Sequence, residues 1–166
     1  MKHVTATACA LLGLGLNAFV AAAMAEPNLQ DLAARTELRT VQSLTLSDEQ
    51  FLAGDKNGKA VTLAGELRIP QRATGRLPVV VLLHGSGGLN GGNEFWAKHF
   101  NEMGVASFLL DSFSERGITS TSTNQALLGR LNMIVDAYRA FDVLADHPRI
   151  DPAKIAVMGF SRGGQS

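Results

Sequence analysis

The stretch Ile155-Ala156-Val157-Met158-Gly159-Phe160-Ser161-Arg162-Gly163-Gly164 joins a short apolar run to a serine flanked by glycines. The apolar run predicts a β-strand covered on both faces, and the glycines predict a sharp turn at its end. A serine at the apex of such a turn has a strained backbone, and glycines two residues to either side let the flanking segments pass without a Cβ clash. We therefore expect strand, turn and helix in succession, with the Ser161 hydroxyl at the carboxyl edge of a sheet.

This turn predicts that Ser161 is a catalytic nucleophile. The turn holds its Oγ clear of the backbone, and the backbone N–H of Arg162 lies where it can bind the oxyanion that forms when a serine attacks an acyl carbon. The alternative is a chance pentapeptide in a chain that contains 17 glycines. The apolar strand expected directly before the turn favours the nucleophile.

Strands and helices alternate along the chain before this turn. From residue 79 onward the order strand, helix, strand, helix, strand predicts an α/β fold with a mostly parallel sheet and crossover helices. Two earlier segments alternate apolar and polar residues, which predicts an antiparallel opening to the sheet. The predicted strands are 41–46, 61–69, 79–83, 105–110 and 155–158, and the predicted helices are 93–103 and about 124–145.

A second glycine-rich segment, His84-Gly85-Ser86-Gly87-Gly88, follows the predicted strand 79–83. The backbone N–H of Ser86, or alternatively of Gly87, would supply a second donor to the oxyanion. We expect Gly85 to support this loop and His84 to brace it by hydrogen bonding, with a role as general base the alternative for His84. Glycines before a helix also bind phosphate, but neither nucleotide-binding glycine pattern is present.

Four segments together resemble the dienelactone hydrolase family of α/β-hydrolases: HGSGG at 84–88, DSFSERG at 111–117, DPAKI at 151–155 and GFSRGG at 159–164. The resemblance covers about 44–166 and implies an α/β-hydrolase fold. It also implies hydrolysis of a carboxylic ester or lactone through an acyl-enzyme, without metal or organic cofactor. Dienelactone hydrolases proper carry Cys at the elbow, whereas this chain has Ser161, which favours a general serine esterase of the same fold.

The catalytic acid and base are expected beyond Ser166, because in this fold they follow the nucleophile along the chain. We therefore predict that 41–166 is a partial α/β-hydrolase domain, truncated after the elbow and inactive alone. The alternative is a non-catalytic remnant or binding module. Arg116 and Arg162 are candidates to pair with a substrate carboxylate, with surface exposure the alternative for Arg116.

Composition restricts the partners of the chain. Fifteen Lys and Arg residues balance fifteen Asp and Glu residues, so no net charge recruits nucleic acid. Cys9 is the single cysteine and the four histidines are scattered, which excludes a zinc site of the Cys/His type. Composition leaves a small-molecule enzyme or a packed binding domain, and the resemblance implies that the partner is a small-molecule ester or lactone.

Residues 1–25 have the pattern of a secretory signal peptide. A short basic start is followed by an apolar run at 8–16, and Ala23-Met24-Ala25 is a small-residue cleavage pattern. The alternative is an uncleaved anchor, but the apolar run is shorter than the roughly 20 residues that cross a membrane. We expect cleavage after Ala25, a periplasmic or secreted protein without a stable membrane anchor, and a leader at 26–40.

Overall fold

The structure is a computed structural model that describes residues 35–71 and 73–166. The predicted signal peptide, 1–25, lies outside the described residues, and so does the 26–34 part of the predicted leader. Among the residues described, no helix is both long and apolar enough to span a bilayer.

The described residues form five β-strands and three α-helices. The strands are β1 (Arg35–Thr45), β2 (Lys59–Ile69), β3 (Leu77–Leu83), β4 (Ala106–Asp111) and β5 (Ile150–Gly159). The helices are α1 (Asp48–Leu52), α2 (Gly91–Glu102) and α3 (Leu131–Ala145), and short 3-10 turns lie at Ser114–Arg116, Gln125–Leu127 and Gly163–Gln165.

The strands pair in one mixed sheet with the order β1-β2-β4-β3-β5. Strand β2 is antiparallel to both β1 and β4, whereas β3 lies parallel to both β4 and β5. The predicted α/β class, with an antiparallel opening and a parallel remainder, is confirmed. The parallel strands bring the carboxyl ends of β3 and β5 side by side, with Leu83 opposite Gly159.

Strand β3 lies at the centre of two hydrophobic layers, as its unbroken apolar sequence predicts. Val79, Val81 and Leu83 belong to the core on the α3 side of the sheet. Val80 and Leu82 belong to a smaller cluster on the α2 side, together with Leu109 and Ala97. Because successive side chains of a strand point to opposite faces, only a strand covered on both faces buries such a run.

The amino-terminal boundary of the sheet differs from the prediction. Strand β1 begins at Arg35, so 35–40 pair with β2 and are not part of a leader. The pattern was hard to detect because charged residues occupy this half of β1, which forms an edge of the described sheet. The segment Ser47-Asp48-Glu49-Gln50 predicts a capping box, and one is present before α1: Ser47 Oγ accepts from Gln50 N–H, and Gln50 Oε1 accepts from Ser47 N–H.

The predicted helix at about 124–145 is shorter than expected. Helix α3 begins at Leu131, since Gln125–Leu127 form a 3-10 turn that Asn124 caps through Ala126 N–H. Apolar residues at helical spacing, Leu127 and Tyr138 among them, predict a buried stripe on this helix, but these two residues are 53% and 66% exposed. Helix α3 instead buries the polar residues Asn132 and Asp136, which have hydrogen-bond partners on or after β1.

Strand β5 is the other edge of the described sheet. It was predicted to be covered on both faces, but Ala156 is exposed and Val157 is 51% exposed. The strand also extends back through Asp151-Pro152, where the sequence predicts a turn. A register shift opposite Leu77 and Val79 accommodates these residues.

Candidate active site

Ser161 lies at the apex of the turn that follows β5. Its φ is +49°, and among the non-glycine residues that the structure describes it alone has a positive φ. Left-handed backbone costs a non-glycine residue about 1–3 kcal/mol and persists only where the surroundings impose it. The side chain is exposed, so the turn presents the Ser161 hydroxyl to solvent at the carboxyl edge of the sheet.

The glycines on either side of Ser161 are required by space. A Cβ on Gly159 would clash with the carbonyl of Gly163, and a Cβ on Gly163 would lie 2.7 Å from the carbonyl oxygen of His84. Both contacts are to backbone, which cannot move aside as a side-chain tip can. These contacts match the steric requirement for glycine that we inferred from the sequence. A 3-10 turn, Gly163–Gln165, follows the elbow where we expected a helix.

The loop after β3 is held by His84. The ring is fully buried; its Nδ1–H donates to Gly85 O at 2.8 Å, and its Nε2 accepts from Ser112 N–H at 3.2 Å. Burial lowers the pKa of His84 and keeps the ring neutral. Because both ring nitrogens have backbone partners, His84 braces the loop, and the alternative role of general base finds no support in this geometry.

This bracing also orients the N–H of Ser86. The carbonyl of Gly85 accepts from His84 and, at 3.1 Å, from Gly88 N–H. In a trans peptide the N–H points opposite to the carbonyl, so Ser86 N–H faces away from His84. Neither this N–H nor that of Arg162 donates a hydrogen bond within 35–71 or 73–166, which leaves both able to bind a ligand.

The two loops meet at one open cleft. The loops approach so closely that a Cβ on Gly85 would lie 3.3 Å from Phe160 O and 3.5 Å from Ser161 Cβ. Ser86, Ser161 and Arg162 line a cleft of about 590 Å³ whose other wall is the segment 125–130. The structure therefore brings together the predicted nucleophile and the residues predicted to bind the oxyanion.

No protein-family model and no curated protein sequence matches the chain. Among solved structures, a dienelactone hydrolase-like promiscuous phosphotriesterase from metagenomic libraries is 23% identical, with a TM-score of 0.50, over 75% of this chain and 49% of its own. An esterase of Pyrobaculum calidifontis is 22% identical, with a TM-score of 0.50, over 78% of this chain and 36% of its own. DcsB, solved in complex with a substrate analogue, is 19% identical, with a TM-score of 0.54, over 77% and 38%. The chain has the α/β-hydrolase fold.

The expected resemblance to dienelactone hydrolase-like proteins is thus confirmed at the level of the fold. This α/β-hydrolase chain spans about half the length of the first of these structures, 49% of it. A fold does not by itself determine the reaction, so function has to be argued from the side chains at the site and their contacts.

The side chain of Arg162 is structural. It is buried, and its guanidinium donates to the side chain of Gln125 and to the carbonyl of Leu128. Burial, and then the nearby charge of Arg130, lowers the pKa of Arg162. The guanidinium therefore anchors the 125–128 segment to the elbow and does not face a substrate carboxylate, so only the backbone of Arg162 remains a candidate ligand group.

The side chain of Arg116 is also buried and bonded within the protein. It forms a two-pronged ion pair with Asp136 at 2.7 and 2.9 Å, and both side chains are almost completely buried. Arg116 further donates to Leu44 O and Thr45 Oγ1 of β1. Neither surface exposure nor a substrate carboxylate accounts for Arg116, because the residue fastens β1 to α3.

The two other histidines that the structure describes, His99 and His147, do not reach Ser161. His147 lies 3.2 Å from Glu37 of β1, at the opposite edge of the sheet, and His99 is half-exposed on α2 beside Glu102. Across 35–71 and 73–166, no histidine or carboxylate hydrogen-bonds to Ser161. Over the same ranges, no three metal-binding side chains come together.

Sequence reasoning missed Gln125. Its side chain contacts both Ser86 and Arg162, on the two loops that flank the cleft. Its position in a polar connection before α3 carries no motif or periodicity. Only the folded chain shows that a residue 36 positions before Ser161 lies at the site.

Proposed function

We propose that the protein is a serine hydrolase of the dienelactone hydrolase type, which cleaves carboxylic esters or lactones through an acyl-enzyme at Ser161. The observation that carries the proposal is the strained backbone of Ser161, φ +49°, between two glycines that tolerate no Cβ. Residues with a strained backbone are concentrated at functional sites, where the strain is part of the mechanism. The α/β-hydrolase fold puts nucleophiles at this strand-to-turn junction.

In the proposed reaction, Ser161 Oγ attacks the acyl carbon and gives its proton to a base, while the carbonyl π electrons move onto oxygen. The N–H groups of Arg162 and Ser86 bind that oxyanion. Collapse of the adduct expels the alcohol oxygen, which takes the proton. A water molecule then attacks the acyl-enzyme by the same route and releases the acid.

The base and its acid partner belong, in this proposal, to the part of the whole protein that follows the nucleophile. A serine without a base is a weak nucleophile at neutral pH, and no described histidine reaches Ser161. The same observation favours the second candidate, a non-catalytic module that retains the front of the fold. We further propose export of the protein after cleavage at Ala25, on the pattern of residues 1–25.

The test uses the protein as its native source expresses it. We expect the protein to hydrolyse p-nitrophenyl esters and to be labelled by a fluorophosphonate, and S161A to lose both properties while its circular dichroism is unchanged. The matched control is S122A, which removes an exposed serine hydroxyl outside the cleft. Turnover and labelling that survive in S161A would exclude the role given to Ser161.

The second candidate is tested by the gene and by mass. An acidic residue followed by a histidine downstream of Ser166, with an intact mass that includes them, supports the hydrolase. A native mass that lacks them, together with no labelling of the wild type, supports the non-catalytic module.

A further inference from the structure

Gln125 connects the two loops of the site through its side-chain amide. Its Oε1 accepts from the guanidinium of Arg162 and lies 3.4 Å from Thr121 Oγ1. Its Nε2 lies 3.0 Å from Ser86 Oγ, whereas Oε1 lies 3.2 Å from the same oxygen. Ser86 and Arg162 are the residues whose N–H groups we assign to the oxyanion.

The guanidinium determines which way this amide points. Arginine donates hydrogen bonds and accepts none, so Gln125 must turn Oε1 toward Arg162. The NH₂ group is then the end of the amide that can donate, and Ser86 Oγ, at 3.0 Å, is its hydrogen-bond acceptor in the part of the chain that the structure describes. Oε1 has two lone pairs, which the Arg162 guanidinium and the Thr121 hydroxyl can occupy, so Ser86 is needed as the acceptor of Nε2 and not as a donor to Oε1. The arrangement that satisfies all three groups has Gln125 donating to Ser86.

A serine hydroxyl that accepts from Gln125 has its own proton free for another partner. The rest of Ser86 is already held: its carbonyl accepts from Thr121 N–H at 2.7 Å and from Ser120 Oγ at 3.1 Å. These bonds hold the residue at the border of the cleft that Ser161 also lines. The freed proton is therefore available to a ligand bound in that cleft.

We propose that Gln125 is a positioning residue, which orients the Ser86 hydroxyl so that its proton enters the cleft as a further donor to the oxyanion. The proposal rests on the proposed function. The side chain of Arg162 contributes indirectly, because the guanidinium orients the Gln125 amide and the amide orients the Ser86 hydroxyl. The site then has side-chain as well as backbone donors on the Ser86 loop.

The decisive variant is Q125E. A carboxylate keeps the contact with Arg162, and strengthens it, but can only accept from Ser86. The Ser86 proton is then drawn out of the cleft. We expect kcat to fall about a hundredfold, as after removal of one oxyanion donor, with little change in KM and no loss in melting temperature.

Further variants separate this effect from the added charge. S86A removes the same donor and is expected to lose a similar factor in kcat, and S86A/Q125E to lose no more than S86A alone. N124D adds the same charge one residue away and keeps the cap on Ala126 N–H, so it is expected to retain the wild-type kcat. Q125M, which removes both hydrogen bonds, gives a second test if Q125E does not fold, and is expected to lower kcat.

A merely structural link between the loops predicts another outcome. In that case Q125E, which keeps the contact with Arg162 and makes it an ion pair, keeps the wild-type kcat, and this result overturns the proposal. So does a double variant whose loss is the product of the two single losses. If S161A retains turnover, the proposed function fails; if S161A is inactive while Q125E equals wild type, only the role of Gln125 fails.

Discussion

Gly163 of the elbow packs against the carbonyl oxygen of His84, so that a Cβ at position 163 would lie 2.7 Å from that oxygen. Leu83 Cβ and Leu83 O would be nearly as close, at 2.8 and 2.9 Å. The contact joins the ends of β3 and β5, from which the two loops of the site begin. The separation of Ser86 and Arg162 is therefore set by backbone packing.

G163A is expected to push these loops apart. The new methyl group meets two backbone oxygens and the Cβ of Leu83, and overpacking of this kind costs about 1–3 kcal/mol. We expect a lower urea midpoint and a lower kcat toward esters. The control is G87A in the neighbouring loop, where a Cβ meets nothing within 4 Å; its stability is expected within about 0.5 kcal/mol of wild type. Equal midpoints for G163A and wild type would contradict the assigned packing.

The strain at Ser161 can be measured directly. Alanine at φ +49° is as strained as serine, whereas glycine adopts this conformation freely. We expect S161G to be more stable than S161A by up to about 1 kcal/mol, after the greater chain entropy of glycine is subtracted. Urea denaturation of the two variants tests this, and a less stable S161G would mean that the surroundings do not impose the positive φ.

The Arg116–Asp136 pair is expected to contribute strongly to stability once formed. D136N leaves the buried guanidinium without its counter-charge, which costs about 3–5 kcal/mol. R116M leaves Asp136 with its hydrogen bond from Ser43 Oγ but no cation. The double variant is expected to lose less than the sum of the two single losses.

An exposed pair on the same helix serves as control. Arg139 and Asp142 lie 3.8 Å apart on the solvent side of α3, and R139M is expected to change stability by less than about 1 kcal/mol. Denaturant unfolding followed by circular dichroism measures all four variants. A small effect of D136N would show that the pair is solvated in solution.

His84 predicts a pH dependence of stability. Burial holds its folded-state pKa below the usual 6.5. Above pH 6.5 the ring is neutral in both states and the stability is complete; as pH falls, the unfolded chain takes up a proton that folded His84 refuses. The free energy of unfolding is then lost by up to about 1.4 kcal/mol per pH unit, until the folded-state pKa is reached. H84Q is expected to lack this component, and urea titrations between about pH 5 and pH 7.5 compare the two slopes.

The exposed edge at β5 predicts self-association of the 166-residue chain. Val157 is 51% exposed on this strand and borders an apolar cleft with Tyr138 and Phe141. Unpaired strand edges with apolar side chains pair with other chains, and lysine on an edge opposes this. We expect V157K to shift the chain toward monomer in sedimentation velocity. A wild-type chain that sediments as a monomer at all concentrations would contradict the prediction.

The elements that the sequence predicts correctly are those whose conformation depends on residues within the same strand or turn. Strand β3 is apolar at every position from Val79 to Leu83 because both faces are covered. The turn at Ser161 is recognisable because its steric needs fall on glycines two residues away. Both patterns lie within a few consecutive residues, so they can be recognised in the sequence without knowing which other elements pack against them.

The strand boundaries were less well determined by pattern alone. Strand β1 begins at Arg35 because this residue pairs with Ile69 of β2. The pairing extends the strand through residues whose polar side chains show no strand pattern in the sequence. The pattern predicts too early a start for α3, because apolar residues such as Leu127 continue the helical period into a 3-10 turn. Pairing and turn geometry overrode the local pattern at both ends.

By itself the sequence determined the fold class, the elbow and the candidate nucleophile, because these follow from apolar periodicity and from where a Cβ can fit. Only the tertiary structure decided the roles of Gln125, His84 and the two buried arginines. Each of them has a partner at least 20 residues away along the chain: Asp136 for Arg116, Ser112 for His84, and Gln125 for Arg162. A polar side chain acquires its role from the donor or acceptor that folding brings within about 3 Å, and no spacing in the sequence encodes that meeting.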